Sequence, residues 1–134
     1  MRQVLADLLK RLEVASPEDT RVIPWSCPVP SFGDISRARI ATVGINPSNK
    51  EFVDDSHNEL PEESRRFHTL QSLGLKSWSE AKGSHHDEIA EVCRRYFEIN
   101  PYDRWFKELD FLISGTSFSY YSSMSIACHL DLVP

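Results

Sequence analysis

Several familiar signatures are missing from this chain of 134 residues. It has 3 cysteines, Cys27, Cys93 and Cys128, an odd number, widely spaced and without a CxxC pair. That excludes a disulfide framework and reads as reduced thiols. Basic residues are not in excess: 15 Lys and Arg face 20 Asp and Glu, a net charge of −5. A broad basic face is thereby excluded, though a local basic groove is not. No apolar run approaches the roughly 20 residues needed to span a bilayer, so no membrane association is expected. The opening stretch "MRQVLADLLKRLEV" carries Asp7, Lys10, Arg11 and Glu13 and is not a signal peptide. The cytoplasm is the expected compartment. Neither GxxxxGK[ST] nor GxGxxG occurs among the 5 glycines, so no phosphate-cradling loop is read.

What is present is ordinary for one globular domain over 1–134, with 40% hydrophobic and 26% charged residues. Val4, Leu5, Leu8, Leu9 and Leu12 recur at helical spacing and predict an amphipathic helix, broken at Pro17. "RVIPWSCPVPSFGDI", with Pro24, Pro28 and Pro30, reads as a coil wrapping the domain. "RIATVGI", Arg39 to Ile45, is apolar on both faces and predicts a central strand covered on each side. A polar loop follows from Asn46 to Glu63. "EESRRFHTLQSLGL" predicts a helix stopped by Gly74. The next helix, His85–Ile99, is expected to start at an N-cap Ser84 with Asp87 three residues on, and to bury Ile89, Val92, Cys93, Tyr96 and Phe97. Pro101 is expected to open a further helix over Tyr102–Ser114, packed by Trp105, Phe106, Leu109, Leu112 and Ile113 and ended by Gly115. A serine-rich loop leads to a second strand, Ile126–Val133.

Two strands joined by a long helical crossover should lie parallel in one sheet. Ligands of such sheets bind beyond the carboxyl ends of strands, which puts the loop at Asn46 and the end of the second strand at one site. The second strand alternates Ala127, His129, Asp131 and Val133 with Cys128, Leu130 and Leu132. One face is wholly apolar; the other bears two polar groups that need partners if buried. Two strands are few for a parallel sheet, so an α/β domain incomplete within the chain is expected. A small complete domain with a hairpin near "RVIPW" is the alternative.

Most of the remaining polar clusters have plain readings. His85 and His86 beside Asp87 sit at a helix start, where adjacent histidines rarely share an ion. Asp54, Asp55 and His57 fit a solvated loop. Cys128 and His129 point to opposite faces and cannot easily pair as nucleophile and base. No metal and no cofactor is expected. Arg65, Arg66, His68, Lys76 and Lys82 form a mild basic cluster suited to a phosphate backbone or to a solvated helix face.

The turn Gly44-Ile45-Asn46-Pro47-Ser48 is the most specific feature. An Asn-Pro turn ending a strand is common. Yet "VGINPS", then "RRFHTLQSLGL", then a strand ending in a polar residue together resemble the front half of the uracil-DNA glycosylase superfamily. The nearest branch is the mismatch-specific uracil/thymine one, whose first motif reads Gly-Ile-Asn-Pro-Gly and is followed by an Arg-Phe pair. Gly44 to Pro47 match, Ser48 replaces the last glycine, and Arg66-Phe67 match the pair. The resemblance spans roughly Ile40 to Pro134.

It implies a four-stranded parallel sheet flanked by helices, and an N-glycosidase that hydrolyses the base–deoxyribose bond of a nucleotide flipped out of DNA. The sugar passes through a cation-like state, so an amide carbonyl that orients water suffices, and Asn46 has that role. Gly44, Ile45, Pro47 and Ser48 would line the pocket, Ser48 by letting the backbone approach closely. Apart from the resemblance, the ring of Phe52 suits stacking on a base or packing in the core. Asp131, or His129 in another register, takes the base-reading position where the family usually has asparagine. The family's second motif, a His-Pro-Ser-like loop, is missing: none of His57, His68, His85, His86 and His129 precedes a proline. An ionised aspartate only accepts hydrogen bonds, which fits a base bearing an amino group better than uracil. The alternative is a non-catalytic relative that binds nucleic acid, a nucleotide or a protein partner on the same fold.

Overall fold

The computed structural model describes residues 1–14, 22–124 and 126–133. Helix α1, Arg2–Val14, forms as its leucine spacing predicts and buries Leu5 and Leu9. The break expected at Pro17 lies outside the described residues. Strand β1, Ile40–Gly44, and strand β2, Ala127–Asp131, pair in parallel with Gly44 opposite Asp131. Between them run α2, Gly83–Arg94, α3, Tyr96–Ile99, and α4, Asp103–Ile113. The result is a small α/β arrangement, with a sheet of two strands among the described residues. The far edge of β2 is met by one residue of the proline-rich coil. Phe32 N–H donates to His129 C=O at 2.8 Å, and His129 N–H donates to Phe32 C=O at 3.0 Å.

The segment "EESRRFHTLQSLGL" is not an α-helix. Glu62–Ser64 make a single 3-10 turn, and the chain then extends through Arg65. Its backbone pairs with the coil instead: Cys27 N–H donates to His68 C=O, and Leu70 N–H to Trp25 C=O. Hydroxyls take two further amides, Ser72 Oγ accepting from Thr69 N–H at 2.8 Å and Thr69 Oγ1 from Ser72 N–H. Such local bonds compete directly with helix.

Helix boundaries shift for similar reasons. Lys82, not Ser84, caps α2, its N–H donating to His85 Nδ1 at 3.1 Å. Asp87 is drawn off to Arg2. The long predicted helix divides at Arg95, where ψ moves to 12°. Helix α4 begins at Asp103, after Pro101, and ends at Ile113; the left-handed residue beyond it is Ser117 (φ 66°), not Gly115. Trp105 and Leu112, expected to pack, are exposed, and Phe106 is the buried residue of that helix.

The two faces of the sheet are not covered alike. The polar face of β2 looks into the core. Phe32 there packs edge-on to Tyr96 and Phe67, and both Phe32 and Phe106 lie 5.5 Å from the His129 ring. The opposite face is apolar and, beyond the buried Cys128, open: Val43 is 63% exposed, and Ile45 and Leu132 are each 74% exposed. A strand apolar at every position predicts two covered faces. Here the second face is covered only in part, over Cys128, among the described residues.

This asymmetry sets a stability contrast. Phe32→Ala should cost about 3–5 kcal/mol, the usual range for a buried phenylalanine. Val43→Lys on the open face should change stability by no more than about 0.5 kcal/mol. Urea unfolding of both variants checks this, and comparable losses would contradict the assignment of faces.

Candidate functional site

The parallel register brings two strand ends together. Beyond the ladder, Leu132 N–H donates to Gly44 C=O and Val133 N–H to Ile45 C=O at 2.9 Å, so both chains leave the sheet side by side. Asn46 follows at once. It is exposed, and its Nδ2 donates to the Pro47 carbonyl at 3.2 Å. That bond turns the amide over its own loop and leaves Oδ1 without a protein donor among the described residues. Ser48 Oγ accepts from Lys50 N–H at 3.2 Å and caps a 3-10 turn, Asn49–Glu51.

Asp131 takes a different course. Its carboxylate turns into the protein, with the side chain 2% exposed, and Oδ1 lies 3.2 Å from His129 Nε2. It does so by lying over the bare α-carbon of Gly44. A Cβ there would be 2.8 Å from His129 Nε2 and would overlap Asp131 Oδ1 outright. On its other side His129 Nδ1 is 2.6 Å from Thr42 Oγ1, which also bonds the Tyr120 hydroxyl. One orientation satisfies every group. Tyr120 O–H donates to Thr42, Thr42 O–H donates to Nδ1, and Nε2–H donates to Asp131. The order acid, imidazole, hydroxyl is that of a hydrolase triad. Thr42, however, lies mid-strand and is already engaged by Tyr120.

A second buried carboxyl lies nearby. Glu51 is 2% exposed, and Tyr96 Oη donates to it, 2.8 Å from each oxygen. Tyr102 N–H in turn donates to Tyr96 Oη at 2.8 Å. Arg66 Nη1 donates to Lys50 C=O at 3.0 Å, while its buried Nε stops 3.8 Å from Glu51 Oε2 without a hydrogen bond. Burial pushes the Glu51 carboxyl up to about 7; the Tyr96 hydrogen bond and the Arg66 charge oppose this, and the Asp131 charge adds to it. Burial and the adjacent carboxylate also push the Tyr96 phenol up.

Sequence reasoning missed Glu51, Thr42, Tyr96 and Tyr120. Ser48-Asn49-Lys50-Glu51 spells the capping pattern, under which a glutamate is read as a surface residue. The residues it did name are separated by burial. Gly44, Ile45, Asn46, Pro47 and Ser48 form one continuous turn at the strand ends, whereas His129 and Asp131 are buried beneath it. Phe52 is 6% exposed, its ring 5.7 Å from that of Phe67, so it belongs to the core and offers no free face for a base. Three members of the basic cluster are engaged within the protein. Arg65 pairs with Glu59, Arg66 with Glu51, and His68 bonds Ser72, its imidazole held below the usual range by burial. Cys93 is buried and its thiol is pushed up to about 12, which makes it inert as a nucleophile.

Two cavities, of about 140 and 460 Å³, both have Gly33, Asp34 and Arg94 in their walls, and neither is lined by Asn46, Glu51 or Asp131. Among the described residues no group of His, Cys, Asp and Glu could hold a metal ion, and no helix is long and apolar enough to cross a membrane.

The close approach at Gly44 has a measurable cost. Gly44→Ala should destabilise the protein by about 1–3 kcal/mol, the range for an added methylene in a packed site. Adding Asp131→Ala should recover part of that loss, because the two changes share one contact. A double-mutant cycle by chemical denaturation checks this, and strict additivity would contradict the contact.

No family model, curated protein or solved structure matches the chain, so its functional reading comes from the residues themselves.

Proposed function

We propose that the strand-end turn is the water-positioning half of a uracil-DNA glycosylase-like site, which hydrolyses the base–deoxyribose bond of a flipped nucleotide. The observation that carries the reading is the register of Gly44 opposite Asp131, which sets the Gly-Ile-Asn-Pro turn beside the polar end of β2. Departure of a base leaves a cation-like sugar that water captures readily. The chemistry therefore asks for an oriented water more than for a strong base. Asn46 is exposed and its Oδ1 can accept from that water while Nδ2 is held by Pro47. To read a base, the Asp131 carboxylate has to turn out from His129; because it only accepts, it would then favour a base with an exocyclic amine.

A second reading is favoured by the burial of the Asp131 carboxylate. On it, the fold binds nucleic acid, a nucleotide or a protein partner without cutting a bond. The assay that separates the two uses single- and double-stranded oligonucleotides bearing uracil, hypoxanthine or modified cytosines. The first reading expects an abasic product, a preference for amino-bearing bases, and a loss of about 10²-fold in Asn46→Ala, at the low end of what a positioned proton acceptor contributes. Efficient uracil removal that Asp131→Asn leaves unchanged would overturn the base preference. Folded protein with no activity on any of these would overturn the enzymatic reading and leave the binding one.

A further inference from the structure

We propose that Glu51 is a positioning residue of the strand-end site: its buried carboxyl ties the turn that follows Asn46 to α3 and to Arg66, and the charge on that carboxyl sets the order of the turn. The importance of this for activity rests on the glycosidase reading; the structural claim does not.

The geometry points this way from several directions. Glu51 is the last residue of the 3-10 turn capped by Ser48, and its own N–H donates to Ser48 C=O at 3.0 Å. Its side chain leaves the turn for the interior and meets the Tyr96 hydroxyl of α3. Tyr96 is fixed in turn by Tyr102 N–H at the entry to α4. Arg66 grips the same turn by its main chain, at Lys50 C=O, and lies over the Tyr102 ring at 5.3 Å. Two elements thus converge on a segment that begins immediately after Asn46.

A carboxyl is an odd choice for a purely structural bridge. Ionised, it has one hydrogen-bond donor among the described residues, Tyr96, and a guanidinium at 3.8 Å without a hydrogen bond. A buried charge so sparsely paired is costly, and an uncharged residue would pack as well. Protonated, it gains an O–H whose nearest acceptor is Tyr96 Oη, the group that donates to it when ionised. The two states therefore bond Tyr96 in opposite directions, and on the proposal the turn adjusts between them. The groups facing Glu51 are Arg66, which favours the charge, Tyr96, whose hydrogen bond also favours it, and Asp131 of β2, which opposes it.

The balance places the change at about pH 7, well above an ordinary glutamate. A folded-state value above the unfolded one means that the native protein binds this proton more tightly. Its contribution to stability is complete below the ordinary carboxyl range and is lost as pH rises to about 7.

The test is NMR of the intact chain labelled with 13C at glutamate carboxyls and 15N at amides. The Glu51 carboxyl should titrate with a midpoint of about 7, and the Asn46, Ser48 and Lys50 amides should follow it. In Glu51→Gln that amide midpoint should vanish. In Tyr96→Phe the Glu51 midpoint should rise, because a bond favouring the charge is gone. An ordinary carboxyl midpoint for Glu51 in the wild-type protein overturns the proposal, whether or not the variants fold. So does a neutral midpoint of the turn amides that survives Glu51→Gln. None of these readouts needs a substrate, so an inactive protein defeats the glycosidase reading alone.

Discussion

The close contact between the Asp131 carboxylate and the bare α-carbon of Gly44 is the constraint on which the site depends. It is possible only because the strands are parallel and in the register that sets these two residues opposite each other. From it follows the inward turn of Asp131, the bond to His129, and the chain through Thr42 to Tyr120. The glycine of the motif is therefore explained by what lies above it. No unusual backbone angle is involved. Any side chain at position 44 would displace the buried hydrogen-bond partner of His129 and, with it, the tether between the sheet and the segment before β2.

The polar chain also explains why the sheet is oriented as it is. A two-stranded sheet offers one face to the helices. The face bearing Thr42, His129 and Asp131 was taken, and among the described residues the apolar face is left largely open beyond Cys128. Aromatic rings make this tolerable, because Phe32 and Phe106 supply the apolar contact around His129. Hydrogen bonds internal to the sheet and to Tyr120 satisfy its polar atoms. A buried polar network that is fully satisfied is specific about geometry, whereas aliphatic packing tolerates many alternatives.

Much of this was legible in the residues, and the limits were physical. The helical crossover between "RIATVGI" and "IACHLDLV" does imply parallel pairing, and the alternation in β2 does separate His129 and Asp131 from the leucines. Alternation cannot say which face the helices will cover, and the expectation of a first strand covered on both sides fails at Val43. The segment around Phe67 has the spacing of a helix, but the hydroxyls of Thr69 and Ser72 and the amides of the coil outcompete it. Glu51 was invisible because its burial depends on Tyr96, remote in sequence. A glutamate in a polar loop carries no local sign that a phenol will reach it.

The central claim is that one continuous donor–acceptor chain, Tyr120 to Thr42 to His129 to Asp131, joins the core to the strand ends. Its most direct test is 15N NMR of the His129 imidazole in the folded protein under mildly alkaline conditions. The chain requires Nε2 to carry the proton and Nδ1 to accept from Thr42. Observation of that tautomer, lost to a mixture when Asp131 is replaced by alanine, is the predicted result. A ring protonated at Nδ1, with Nε2 free, would contradict the chain and the placement of Asp131 over Gly44.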